Sequence, residues 1–175
     1  LSTSFGSNGS TGGTWSSSNP SIASVNATSG VVTGVAAGNA IITYTVTTVC
    51  GTQNASSNIT INPVLSAGII SGGTSVCNGS SLNLVSDGST GGSWTSSNTA
   101  VATVDAATGV VSSVSPGNTT ITYTVSNVCG SFAATRLITV NAMASVGSIS
   151  GASTVCVGSS TTLSVAGTPG GTWSS

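Results

Sequence analysis

The chain has 175 residues but only three charged side chains, Arg136, Asp87 and Asp105, and it contains no Lys, Glu or His. Acid–base and nucleophilic catalysis, zinc or calcium sites, and contacts to nucleic-acid phosphates need His, clustered carboxylates or several basic residues. We therefore predict a protein that is not an enzyme, with no catalytic residue, no cofactor, no metal site and no nucleic-acid partner. The hydrophobic fraction of 38%, rich in β-branched residues, favours a folded β protein over disorder.

The N-terminal stretch LSTSFGSNGS lacks the basic and apolar segments of a signal peptide. No run of about 18 apolar residues occurs in the sequence, so no membrane span is predicted. If the protein is exported, its export signal is expected outside this sequence.

The sequence repeats itself at a fixed interval, and equivalent positions are always 79 residues apart. Pairs or triplets at this spacing are Trp15, Trp94 and Trp173; Tyr44 and Tyr123; Cys50 and Cys129; and Cys77 and Cys156. The segment 12–51 aligns without a gap to the segment 91–130, and a third copy begins at Gly170. A period of this kind predicts a tandem array of one structural unit.

Within one period, short β-branched runs alternate with Gly, Asn, Ser and Pro turns, which indicates strands and no helices. In chain order, the strands predicted for the central copy are 67–76, 81–87, 92–97, 100–105, 109–114, 118–127 and 131–141. Seven short strands in about 75 residues are typical of an immunoglobulin-like β-sandwich, so we predict an all-β fold of tandem immunoglobulin-like repeats. The aromatic residues predicted to lie in the core are Trp15, Tyr44, Trp94, Tyr123 and Trp173.

These strands divide the sequence into one complete and two partial repeats. The central repeat, 66–143, has all seven predicted strands, whereas the first repeat, 1–63, lacks the first strand. The third repeat, 146–175, has only the first strands. Because a three-strand fragment cannot close a sandwich, we interpret the sequence as a window on a longer array.

Two parts of the chain share a pattern that resembles a known family. The pattern is W-[ST]-S-S-N-x-x-[IV]-A-[ST]-V, then G-V-V, then G-N-x-x-I-T-Y-T-V. It occupies 15–25, 30–32 and 38–46, and again 94–104, 109–111 and 117–125. This pattern resembles bacterial Ig-like group 2 repeats. The added elements V-C-x-G-S-S and V-C-G resemble a Cys-bearing variant found in very large surface proteins of Bacteroidota.

The resemblance implies repeats that form the stalks of secreted adhesins, including gliding-motility adhesins exported by the type IX secretion system. The resemblance assigns no functional residue to this chain, because such stalk repeats have no catalytic motif. The C-terminal export signal of these proteins is not visible in this sequence.

The four cysteines, Cys50, Cys77, Cys129 and Cys156, indicate an oxidising compartment and disulfide bonds. Metal binding is the alternative, but no C-x-x-C spacing and no His supports it. Cys77 with Cys129 would close a bond within one repeat, Cys50 with Cys77 would join consecutive repeats, and a third arrangement pairs them with cysteines outside the sequence.

The predicted strands place Cys77 and Cys129 at opposite ends of the sandwich, roughly 20 Å apart, whereas a disulfide needs Cα atoms within about 7 Å. A bond within the repeat therefore requires that the predicted strand arrangement be in error. Small domains commonly hold themselves together with their own disulfide, so this bond is still the first expectation.

Asp87 and Asp105 lie in the sequences SDGS and VDAAT, where a short carboxylate hydrogen-bonds nearby backbone in a turn. Asn26 stands at the position of Asp105 in the first repeat, which fits a turn better than a metal site.

We predict a structural stalk or spacer of a very large secreted adhesin, located at the bacterial cell surface, with gliding motility as one setting. The predicted partners are neighbouring repeats, the secretion and surface-anchoring machinery, and an extracellular surface or glycan. The alternatives are a glycan-binding or surface-binding module and a self-assembling fibre. The near-absence of charge favours the fibre, because Lys on an edge strand normally blocks pairing between molecules.

Overall fold

The computed structural model describes residues 2–8 and 11–175, and the regular elements in this part of the chain are all β-strands. The prediction of an all-β immunoglobulin-like fold is confirmed. The strands are β1 (Ser2–Ser4), β2 (Thr14–Ser17), β3 (Ala23–Val25), β4 (Val31–Gly34), β5 (Gly38–Thr48), β6 (Gly51–Ile61), β7 (Ile70–Gly72), β8 (Ser75–Cys77), β9 (Ser81–Ser86), β10 (Ser93–Ser96), β11 (Ala102–Val104), β12 (Val110–Ser113), β13 (Gly117–Asn127), β14 (Gly130–Asn141), β15 (Ile149–Ser150) and β16 (Ser164–Val165).

Residues 67–141 form two four-stranded sheets. One has the strand order β10-β13-β14-β8 and the other the order β11-β12-β9-β7. Six of the predicted strands are present with shifted ends. The predicted strand 67–76 is instead split into β7, which pairs with β9, and β8, which pairs with β14 in the other sheet.

Gly72 explains where this strand breaks. Its φ of 124° lies in a region that favours glycine, and a Cβ there would lie 2.5 Å from the carbonyl oxygen of Asn83. The chain can therefore leave one sheet at Gly72 and join the other at Ser75.

The core of the central repeat comes from alternate residues of the facing strands. In β13 the buried residues are Thr119, Ile121, Tyr123 and Val125, and the residues between them are more exposed, as the period of two in a strand requires. Leu84 and Val111 lie on the other sheet, at 1% and 0% exposure. Full burial of an aliphatic side chain of this size contributes about 1.5–3 kcal/mol to stability.

Residues 2–61 form two three-stranded sheets, β1-β4-β3 and β2-β5-β6. The register matches the central repeat: Thr3 lies opposite Val32, and at the equivalent positions one period later Leu82 lies opposite Val111. The buried core here is Ala23, Val32, Ala40 and Ile42, with Phe5, Trp15, Ile22, Val25, Ile59 and Ile61 packed against it.

Residues 145–175 contain one short antiparallel pair, in which Ile149 of β15 lies opposite Val165 of β16. Nearly all side chains of this segment are exposed. It therefore forms no closed core of its own.

Candidate functional site

Each of the two larger segments contains a tryptophan–tyrosine pair. β10 places Trp94 opposite Tyr123 of β13, and β2 places Trp15 opposite Tyr44 of β5. In both pairs the ring centroids are 4.7 Å apart, with interplanar angles of 40° and 41°. Trp94 and Tyr123 are buried, whereas Trp15 and Tyr44 are half-buried. The faces of the central pair are therefore occupied by packing and do not present a platform for a ligand.

A glycine completes each pair. The backbone N–H of Gly92 donates to the Tyr123 hydroxyl at 3.0 Å, and that of Gly13 donates to the Tyr44 hydroxyl at 2.9 Å. A Cβ at either glycine would lie 2.5 Å from the tyrosine Cζ. Sequence analysis missed this role, although the repeated Gly-Gly before each tryptophan and the tyrosine 31 residues after each glycine were the available signal.

Trp173 does not lie in a core, contrary to its prediction. It is 58% exposed and lines an open groove of about 570 Å³ with Val146, Ile149 and Val165. In the central repeat, the ring of Tyr123 covers that of Trp94.

The four cysteines are free and exposed in the structure. The parallel register places Cys77 beside Asn141 at the end of β14, whereas Cys129 precedes the first residue of the same strand. Cys77 and Cys129 therefore lie at opposite ends of β14, a strand of 12 residues at about 3.3 Å each, whereas a disulfide needs Cα atoms within about 7 Å. The first expectation, a Cys77–Cys129 bond within the repeat, is therefore wrong.

Cys50 and Cys129 lie in hairpin turns and Cys77 ends β8, and the backbone of each makes defined hydrogen bonds. The Cys129 N–H donates to Asn127 Oδ1 at 2.8 Å, and the Cys77 carbonyl accepts from Ser113 Oγ at 3.0 Å. The Cys50 N–H donates to Thr48 Oγ1 at 3.2 Å, in the turn equivalent to that of Cys129. Each of these thiols is accordingly held at the end of a hairpin or strand, where another molecule can reach it.

Asp105 closes a turn, as predicted. Its Oδ1 accepts the side-chain hydroxyl of Thr108 at 2.7 Å and the backbone N–H groups of Thr108 and Ala107 at 2.8 and 3.1 Å. These hydrogen bonds stabilise the carboxylate and lower the pKa of Asp105 below its usual value. Asn26 makes the matching backbone bonds to Thr28 and Ser29.

Asp87 binds backbone as well, accepting the Ile69 N–H at 2.6 Å. It thereby joins the chain just before β7 to the end of β9. Both carboxylates are used in local structure.

A family model for a bacterial Ig-like domain (group 2) matches residues 3–57 and 74–136, more than half of the chain. The chain belongs to this family. The two matched stretches of the group 2 Ig-like chain contain both tryptophan–tyrosine pairs, so the family match and the repeated core geometry coincide.

Several solved structures are similar to the group 2 Ig-like chain. One is the C-terminal 282-residue fragment of intimin in complex with the intimin-binding domain of the translocated intimin receptor. It is 23% identical, has a TM-score of 0.48, and is matched over 79% of this chain and 53% of that one. This chain therefore spans about half the length of the intimin fragment.

Two further structures are more distant. The S-layer protein SbsC is 23% identical with a TM-score of 0.38, over 80% of this chain and 21% of that one. A SusE-like surface-located polysaccharide-binding protein from the Bacteroides thetaiotaomicron heparin utilisation locus is 10% identical with a TM-score of 0.34, over 77% of this chain and 30% of that one. No curated protein matches the group 2 Ig-like chain.

Residues 2–8 and 11–175 of the group 2 Ig-like chain contain no group of three or more His, Cys, Asp or Glu that could hold a metal ion. In the same residues, no helix has the length and apolar character to cross a membrane.

Proposed function

We propose that this group 2 Ig-like chain is a non-enzymatic spacer, one segment of a stalk that extends a distal adhesive region from a bacterial cell. The observation that supports it is the path of the chain in the central repeat. Ile70 lies beside Arg136 and Cys77 beside Asn141, so the segment 70–77 runs in the same direction as β14. The chain therefore enters the repeat at one end and leaves it at the other, as an extended array requires.

The array consists of one unit repeated. We propose that 66–143 is a complete repeat, that 1–63 and 146–175 are partial ones, and that the neighbours of each are further repeats of the same long chain. A 12-residue β14 at about 3.3 Å per residue lets each complete repeat extend the stalk by roughly 40 Å.

The proposed location is the bacterial cell surface, in a very large secreted adhesin of the Bacteroidota type that uses type IX secretion and surface anchoring, with gliding motility as one setting. The repeated sequence pattern and the cysteine elements support this origin. A surface solvated by hydroxyl and amide groups, with three charges in the whole chain, suits a tether that binds little along its length.

The cysteines remain disulfide candidates in that compartment. With the bond inside one repeat excluded, we propose a bond between repeats, either Cys50 with Cys77 or each cysteine with a cysteine outside this sequence. Each bond forms by thiol–disulfide exchange, in which two thiols pass two electrons and two protons to an oxidised protein disulfide, whose own S–S bond breaks to leave a dithiol. Intact mass after alkylation, with and without reductant, measures how many thiols are free in the exported protein.

The near-absence of charge supports a self-assembling fibre as a second candidate, because Lys on an edge strand normally blocks pairing between molecules and the sequence has none. The edges of the central repeat are short, since β7, β8, β10 and β11 have three or four residues each, and short edges limit such pairing.

Light scattering and small-angle X-ray scattering on the purified chain, over a range of concentrations, test the proposal. A spacer gives an elongated monomer whose mass does not change with concentration. Growth of the mass with concentration would favour the fibre, and retention of the chain on a glycan array would favour a binding module. A compact spherical monomer would contradict the spacer.

A further inference from the structure

We propose that the central repeat resists tension along the chain through a clamp made of β8, β14 and Arg136. The inference rests on the proposed stalk function, because a stalk between a cell and an attached surface is pulled from both ends. We call this set of residues the terminal-strand clamp.

The geometry of β8 and β14 determines how tension acts. The two strands are parallel, with Thr139, Val140 and Asn141 opposite Ser75, Val76 and Cys77. Tension pulls β8 back through its N-terminal side and pulls β14 forward through its C-terminal side. The strands must therefore slide past each other, and all hydrogen bonds between them resist together rather than opening one at a time.

Arg136 adds a second connection between β14 and the segment 70–77 that contains β8. Its guanidinium donates from Nη1 to the Ile70 carbonyl at 2.7 Å, from Nη2 to the Gly72 carbonyl, and from Nε to the Gly73 carbonyl at 3.5 Å. These carbonyls lie 63–66 residues away in sequence, on the stretch where the chain crosses from β7 to β8. The rigid fork of donors matches several acceptors at once, and bonds from a charged donor are stronger than neutral ones.

The position of Arg136 makes these bonds an obstacle to sliding. Arg136 lies on β14 before the residues that pair with β8, and it is half-buried. Displacement of the segment 70–77 along β14 breaks the guanidinium bonds at the same time as the β8–β14 bonds. We infer that the sole basic residue of the chain is a positioning residue for mechanical strength.

The first repeat supplies the matched substitution. Ser57 stands there at the position of Arg136, and its side chain is too short to reach three carbonyls of another strand. Arg136→Ser therefore gives the central repeat a residue already present at the same place in the array. Leu137→Ser is the control, because Leu137 is the next residue of β14 and is 58% exposed.

The test is single-molecule force spectroscopy on the full 175-residue chain, held by tags at both ends, with the cysteines alkylated. Forced unfolding follows the unfolding rate, and we expect Arg136→Ser to raise that rate, extrapolated to zero force, by about tenfold or more. Leu137→Ser should leave it within about twofold of the parent. Arg136→Lys, with one donor group in place of the fork, should fall between Arg136→Ser and the parent.

An unfolding force that is the same for Arg136→Ser and the parent would overturn the inference, even if the denaturation midpoint falls. If Arg136→Ser does not fold, Arg136→Lys decides: a force equal to that of the parent overturns the clamp, and a reduced force supports it. The scattering experiment on the unpulled chain is independent, so a weak clamp in an elongated monomer would reject this inference without rejecting the spacer.

Discussion

The hydroxyl of Tyr123 accepts a hydrogen bond from the backbone N–H of Gly92 at 3.0 Å, across 31 residues of chain. The same ring lies 4.7 Å from that of Trp94, centroid to centroid, so one tyrosine fixes both a backbone turn and the central aromatic contact. Tyr44 and Gly13 repeat the bond at 2.9 Å with the same sequence separation. This tyrosine–glycine bond is therefore a property of the repeat and a precise point at which to test its core.

We expect Gly92→Ala to destabilise the central repeat. The new Cβ would lie 2.5 Å from Tyr123 Cζ and 2.6 Å from the Thr124 carbonyl oxygen, so the ring or the strand must move. Overpacking of this kind costs about 1–3 kcal/mol. Urea unfolding followed by tryptophan fluorescence measures it. Gly6→Ala is the control, because no atom lies within 4 Å of its Cβ; an equal loss in both variants would contradict the proposed contact.

We expect Tyr123→Phe to lower the free energy of unfolding by about 1–3 kcal/mol, the cost of leaving a partly buried N–H without its acceptor. The aromatic contact with Trp94 is kept, so a change in the environment of the tryptophan should be small. Tyr44→Phe in the first repeat should cost less, because Tyr44 is only half-buried. If Tyr44→Phe costs more than Tyr123→Phe, burial does not set the strength of this bond.

Much of the fold could be predicted from sequence because its signals are local. The alternation of β-branched and polar residues located six strands of the central repeat, and the 79-residue period predicts the equivalent strands of the first repeat. The break between β7 and β8 could not be predicted, because it depends on the change of sheet at Gly72. The contact of Arg136 with Ile70 also joins positions that are 66 residues apart, and no pattern along the chain indicates it.

The cysteines show the same limit. The predicted strands already placed Cys77 and Cys129 far apart, but an argument from the size of the domain favoured a bond between them. The pairing of Cys77 with Asn141 shows that Cys77 lies at the opposite end of β14 from Cys129, too far for a disulfide.

We expect Asp105→Asn to reduce the loss of stability in acid. Hydrogen bonds from Thr108 and Ala107 lower the pKa of Asp105, so the folded state favours the carboxylate. The resulting stability is present above the unfolded-state pKa of about 3.9 and is lost as the pH falls through the lower folded-state pKa. Asn cannot titrate, and Asn26 already occupies this turn in the first repeat. Thermal midpoints at neutral pH and below about pH 3 measure the difference; a parent and variant with the same pH profile would contradict it.

Trypsin has one basic residue to recognise in this chain, Arg136, and we expect it to cut the folded protein very slowly. The bond after Arg136 lies inside β14, which pairs with β13, and the guanidinium is engaged by the carbonyls of Ile70 and Gly72. A protease needs the strand extended and free in its cleft, so cleavage must wait for β14 to open, and its rate reports that opening. Gel electrophoresis over time, with and without urea below the unfolding midpoint, measures it. Rapid cleavage without urea, at a rate that urea does not raise, would mean that β14 is open in the native protein and that Arg136 does not hold it to the segment 70–73.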